Sequence, residues 1–119
     1  MNDEADRQLA HDPQDLARLL VSRERAGDVD GMAALYEPDA VLHCGDEQLA
    51  RGRDAISAFY AGLVAAGRKF ELGDQRPALL SGDLALTSTR LPNGSVTAEI
   101  ARRQGDGAWL WVIDRPAIA

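Results

Sequence analysis

The 119-residue chain has a single cysteine, Cys44, so it cannot close an internal disulfide, and a reducing, cytoplasmic setting is the expectation. Two histidines and that one cysteine do not make a zinc spacing. Basic charge is short: 13 Lys and Arg against 19 Asp and Glu leave a net charge of −6. Arg102–Arg103 is a pair rather than a patch, so nucleic acid is not an expected partner. No apolar run approaches the roughly 18–20 residues of a membrane span, so no membrane partner is expected either. The opening "MNDEADRQLAHDP" is acidic and polar, unlike a signal or transit peptide. Phosphate-binding, dinucleotide-binding and nucleophile-elbow patterns are missing. "GDVDG" (27–31) lacks the further oxygen ligands of a calcium loop. No cofactor and no metal is called for. Aromatics make up only 5%, which leaves Leu, Val, Ile and Ala to build the core.

What is present suits one domain with one core. Residues 1–11 lack apolar periodicity and read as a flexible lead-in, with a single domain over 12–119. "DPQD" (12–15) starts a helix, with Asp12 as cap and Pro13 in the first turn. Leu16, Leu19 and Leu20 share one face, and Gly27 ends the run. Asp28 caps a shorter helix whose Val29, Met32, Ala33 and Tyr36 share a face before Pro38 stops it. "AVLHC" (40–44) and "EQLAR" (47–51) read as paired strands. Ile56, Phe59, Tyr60, Leu63 and Val64 then give a clear helical stripe.

Beyond Arg68 the period becomes two. "KFEL" and "RPALL" are weak strands, while "LALTSTRL" (84–91), "SVTAEIARRQ" (95–104) and "AWLWVID" (108–114) are strong and joined by tight turns. Three helices followed by long antiparallel strands predict an α+β domain with helices on one face of a curved sheet.

Three stretches carry a family resemblance: "AGDVDGMAALYEPDAV", "RGRDAISAFY" and the terminal "RRQGDGAWLWVID". Together they resemble the nuclear transport factor 2-like superfamily, in its ketosteroid isomerase-like and SnoaL-like polyketide cyclase branches, over roughly residues 12–115. The resemblance implies a cystatin-like roll, a cone of curved antiparallel sheet wrapped around three helices. It implies a pocket inside the cone for a small apolar ligand or substrate, and a homodimer through the outer sheet face. Such concave, mostly apolar cavities bury small ligands.

Carried over position by position, the isomerase pattern fails. Its base falls on Cys44, its tyrosine on Leu20 and its strand aspartate on Ala101, so steroid isomerisation is not expected. In that isomerase an apolar site keeps the strand carboxyl neutral so that it can donate a hydrogen bond, and an alanine has nothing to donate. SnoaL-type cyclases place an acid/base aspartate on the last strand, which points to Asp114. Alternation puts Leu110, Val112 and Asp114 on one face, and Trp109, Trp111 and Ile113 on the other. With the first face inward, Asp114 would sit in an apolar wall and its pKa would rise toward neutrality. The plainer reading has Asp114 ending the strand or pairing with Arg115. Tyr60, matching a tyrosine that reaches the isomerase pocket, is the second catalytic candidate, as a donor to a ligand carbonyl or as a helix tether.

Leu20, Cys44, Phe59, Ala101 and Val112 would line the pocket. Glu99 and Arg103 would join them if the isomerase alignment sets the register, whereas apolarity instead turns Val96, Ala98, Ile100 and Arg102 toward the helices. His43 and Cys44 are adjacent on a strand and face opposite ways, so they form no catalytic pair. Motif matching puts Cys44 inward as a small hydrophobe and His43 outward. Trp109, Trp111 and Ile113 would leave an apolar outer patch for the homodimer to cover. The expected function is a cofactor-independent acid/base isomerase or cyclase on an apolar metabolite. The alternatives are a non-catalytic ligand-binding homodimer, or a dimerisation module whose pocket is filled.

Overall fold

The structure is a computed structural model that describes residues 7–117. Helix α1 spans Asp15–Arg25, α2 Val29–Ala33 and α3 Arg53–Ala65. The strands are β1 (Tyr36–His43), β2 (Leu49–Arg51), β3 (Asp74–Gln75), β4 (Leu79–Ser81), β5 (Leu84–Thr87), β6 (Thr89–Arg90), β7 (Ala98–Arg103) and β8 (Trp109–Arg115). Six of them form an unclosed sheet in the order β2-β1-β8-β7-β5-β4, and β3 pairs with β6 apart from it. The expected α+β class with three helices against a curved sheet is therefore present. One pairing departs from the antiparallel expectation: β1 and β8 run parallel, because the crossover between them carries most of the chain, so the sheet is mixed.

Leu16, Met32, Leu42 and Ile56 are each fully buried where the helices meet the sheet. Burying such a side chain stabilises the fold by roughly 1.5–3 kcal/mol. Asp28 caps α2 by accepting from Gly31 N–H at 3.0 Å. The helix is shorter than its apolar face suggested. Tyr36 is not on it but opens β1, because the chain turns extended before Pro38. "KFEL" forms no strand, and "LALTSTRL" breaks at Ser88 into β5 and β6.

Residues 1–6 of the expected lead-in lie outside the described residues. Residues 7–11 are held against the domain: Ala10 is buried, its carbonyl accepts Trp109 N–H at 2.8 Å, and Arg7 pairs with Asp28. No helix among the described residues is long and apolar enough to cross a membrane.

Two irregularities decide which side chains face inward. Ile100 pairs with Ile113 but Ala101 pairs with Trp111, so Val112 is an extra residue in β8. On β1, five steps from Tyr36 to Val41 match two on β8 from Trp111 to Ile113, absorbing the Pro38 segment that cannot join the ladder. The bulge at Val112 resets the alternation of β8. Trp109, Trp111 and Asp114 are all buried, while Ile113 is half exposed. The expected split of β8 is thus corrected. The tryptophans belong to the core and share the inner side with the aspartate, because one extra residue shifts the parity after Trp111.

Candidate functional site: a buried tyrosine–carboxylate chain

The inner face of the sheet carries two neighbouring cross-strand rows. One runs Ala85, Ala101, Trp111, Tyr36 and the next runs Thr87, Glu99, Asp114, Leu42. All eight are buried. The small residues at 85 and 101 leave room over the sheet that Tyr36 and Trp111 fill, their rings 5.1 Å apart. From α3, Tyr60 comes down between Phe59, Phe70 and Tyr36. Glu24 of α1 accepts the Phe70 N–H at 3.0 Å, which fixes the stretch that places Phe70 edge-on to Tyr60.

At the centre is a hydrogen-bonded chain. Tyr36 Oη donates to Asp114 Oδ2 at 2.5 Å and meets Tyr60 Oη at 2.6 Å. With Asp114 charged, Tyr36 spends its proton on the carboxylate, so Tyr60 must donate to Tyr36. Asp114 Oδ1 takes no hydrogen bond from the described residues. Burial lifts the Asp114 pKa to about 7; the facing Glu99 carboxylate adds to the rise, and the Tyr36 hydrogen bond opposes it. Glu99 is raised as well, by burial, against the pull of its Thr97 and Thr87 hydrogen bonds. Thr87 Oγ1 donates to it at 2.7 Å. Burial and the Asp114 charge push both tyrosine hydroxyls well above their ordinary range, so they stay protonated.

The other sequence-derived positions fall into place unevenly. Cys44, Leu20 and Phe59 are half-buried and pack against the core, and Ala101 is fully buried on the inner face. The Cys44 thiol is pushed up by burial, which keeps it a thiol rather than a nucleophilic thiolate. His43 is half-buried, and its Nδ1 accepts Gly45 N–H at 3.3 Å. Glu99 faces inward, as the isomerase alignment had it and against the apolarity pattern. Val112, expected to line the pocket beside Asp114, is the half-buried bulge residue.

Arg103 does not join the site. Arg102 and Arg103 are both exposed and pair with Glu37 and Asp83 at 2.9 and 2.8 Å. Tyr36 is the residue the sequence reading missed. Its even-numbered spacing to Ala40 and Leu42, both buried with it, carried the signal; the helical spacing to Met32 hid it.

Two depressions, of about 370 and about 280 Å³, lie toward the β7–β8 turn, and neither is lined by Asp114 or Tyr60. Around Asp114 the fold is closed: the residue is 5% exposed and Tyr60 is 3% exposed. No His, Cys, Asp and Glu group among the described residues is arranged to hold a metal ion.

The family described as a SnoaL-like domain matches residues 16–116. No curated protein matches the chain in sequence. Solved structures match its fold. A nuclear transport factor 2-like protein with a cystatin-like fold from Novosphingobium aromaticivorans is 21% identical with a TM-score of 0.66, over 87% of this chain and 77% of that one. A ketosteroid isomerase-like protein from Erwinia carotovora atroseptica is 18% identical with a TM-score of 0.64, over 86% and 89%. A cystatin-like domain of unknown function from Nostoc punctiforme is 18% identical with a TM-score of 0.66, over 87% and 72%. At these identities the likeness speaks for the fold.

Proposed function

Since the chain belongs to the SnoaL-like domain family, with a nuclear transport factor 2-like fold, we propose that it moves protons on a small apolar metabolite. The reaction would be an isomerisation or cyclisation without a cofactor. The observation that carries this reading is the Tyr60–Tyr36–Asp114 chain ending on a carboxyl whose pKa is about 7. A general acid/base works best when its pKa lies near the working pH, because both forms are then available.

The direction of the chain depends on the proton. With Asp114 charged, Tyr60 donates to Tyr36 and Tyr36 to Asp114. When the carboxylate takes a proton from a substrate carbon and holds it on Oδ2, it becomes a donor to Tyr36. Tyr36 then donates to Tyr60, and the Tyr60 hydroxyl is released to donate to a carbonyl oxygen that gains charge as the carbon loses its proton. Returning the proton to a different carbon would complete an isomerisation and restore the first arrangement. Entry to the closed site would require the strand-free stretch at 68–73, which carries Phe70 over Tyr60, to move aside.

The second reading is a ligand-binding domain without chemistry. It is favoured by the side chains at the isomerase base and donor positions, where Cys44, Leu20 and Ala101 offer no working acid or base. Deuterium wash-in at the α-carbon of apolar enolisable ketones, followed by NMR in D₂O, separates the two. Catalysis predicts exchange by the native chain and a loss of about a hundredfold or more in Asp114→Asn, within the usual range for a general acid/base. Ketones that bind without exchanging their protons would leave the second reading.

A further inference from the structure

The depression of about 280 Å³ lies apart from Asp114, between residues 7–10, α1, the start of α3 and the β7–β8 turn. Its wall brings the apolar residues Leu35, Trp109 and Leu110 together with Arg23 and Arg53. Arg23 is only 8% exposed. It donates to the carbonyl oxygens of Gly31, at 2.7 Å, and Gln8. These two bonds occupy two of its five N–H donors and do not cancel its charge. No carboxylate among the described residues lies within ion-pair distance of it.

Arg53 donates Nε to Tyr36 O at 2.7 Å, and its two terminal nitrogens meet no acceptor among the described residues. Arg7 also borders the space and pairs with Asp28. Among the described residues the one carboxylate in the wall is Asp106, whose Oδ1 accepts Ala108 N–H at 2.9 Å. A buried cation is costly without a counter-charge. Arg23 feels that cost: burial and then the Arg7 charge lower its pKa, against the opposing Asp28.

We propose that this depression is a binding site for a small organic carboxylate, its anionic head on Arg23 and Arg53 and its apolar part against Leu35, Trp109 and Leu110. The planar guanidinium fork matches a carboxylate geometrically. The space falls just under the roughly 300–1,000 Å³ of drug-sized pockets, which limits the apolar part to a short chain or one ring.

The test titrates the full chain with hexanoate and with its neutral counterpart hexanamide, by calorimetry and the Trp109 indole N–H signal. The expected dissociation constant for hexanoate is about millimolar, with hexanamide at least about tenfold weaker. Arg53→Met should weaken hexanoate by about tenfold or more. Because that variant also loses the bond to Tyr36 O, Asp106→Asn gives an independent reading. Asparagine keeps the acceptor for Ala108 N–H while removing a like charge, so hexanoate should bind about two- to fivefold more tightly. Equal binding of acid and amide, unchanged affinity in Asp106→Asn, or no binding at about 10 mM would each overturn the site.

Discussion

Two faces of one sheet, a single residue apart on each strand, invert the usual arrangement. The inner row Thr87–Glu99–Asp114–Leu42 is buried yet holds two carboxyls. The outer row Leu79–Leu86–Ile100–Ile113–Val41 is apolar yet open, with Leu79 67% and Ile113 50% exposed. A sheet that served only to cover helices would put these rows the other way round. Burying carboxyls is unfavourable unless they are hydrogen-bonded or hold a proton, and here both conditions contribute. The inner face therefore holds its polar groups buried, while the outer one leaves an apolar row exposed.

The largest effect that would break the contrast is on the inner side. Asp114 keeps its proton in the folded chain up to about pH 7. In the unfolded chain it would release it near 3.9. Between those values the native state binds more protons, so its stability falls as pH rises and levels off above about pH 7. A shift of that size corresponds to roughly 4 kcal/mol. Asp114→Asn has no such proton to lose, and Tyr36 can still donate to its Oδ1. Urea unfolding should show the variant more stable than the native chain at about pH 8, with the gap closing toward about pH 4. A native chain that is equally stable across that window would mean that the carboxyl is not held in the closed site described.

On the outer side the expected effect is next in size. A contiguous apolar row of this kind is the surface a second copy of the chain would cover, as the family resemblance led us to expect. Leu86→Glu with Ile100→Glu puts paired charges at its middle, where desolvation is costly. Sedimentation should show the native chain as a homodimer at micromolar concentration, and the double variant with its dimer weakened by about a hundredfold or more, mostly monomeric. The fold should persist, because neither side chain enters the core. Identical sedimentation of the two would leave this face without the assigned partner.

The inversion also explains what the sequence could and could not convey. Helices declare themselves by period: the stripe through Ile56 and Tyr60 placed α3, and the Asp28 cap placed α2. Strands declare themselves by alternation, but alternation alone does not name the inner face. In β7 the apolar set Ala98 and Ile100 points outward and Glu99 inward, so hydrophobicity alone gives the wrong side. The family alignment, which compares positions rather than polarity, turns Glu99 inward, and the side chain is buried there, whereas Arg103 of the same set is exposed. In β8 even alignment of neighbours was not enough. The extra residue at Val112 has no mark in the sequence, and it is what brings Trp111 and Asp114 to the same side. Tyr36 was hidden for a third reason, a helix that stops three residues before its apolar spacing does.

The smallest effect would sharpen the comparison most, because it separates burial from charge within the inner row. Glu99 and Asp114 are cross-strand partners, and the Glu99 carboxylate is the second cause of the raised Asp114 pKa, after burial. Glu99→Gln removes that charge but keeps an oxygen for the Thr87 hydroxyl, which lies 2.7 Å from the native carboxylate. The Asp114 pKa should then fall from about 7 while staying above the ordinary carboxylate range, since the apolar surroundings are unchanged. A ¹³C carboxyl titration followed by NMR reads this directly. If Asp114 titrates at the same pH in the variant, Glu99 must itself be neutral there, carrying its own proton. The inner row would then hold two uncoupled acids in place of an interacting pair. If instead Asp114 drops into the ordinary range, repulsion rather than burial sets its proton affinity, and the closed wall would lose its part in tuning the site.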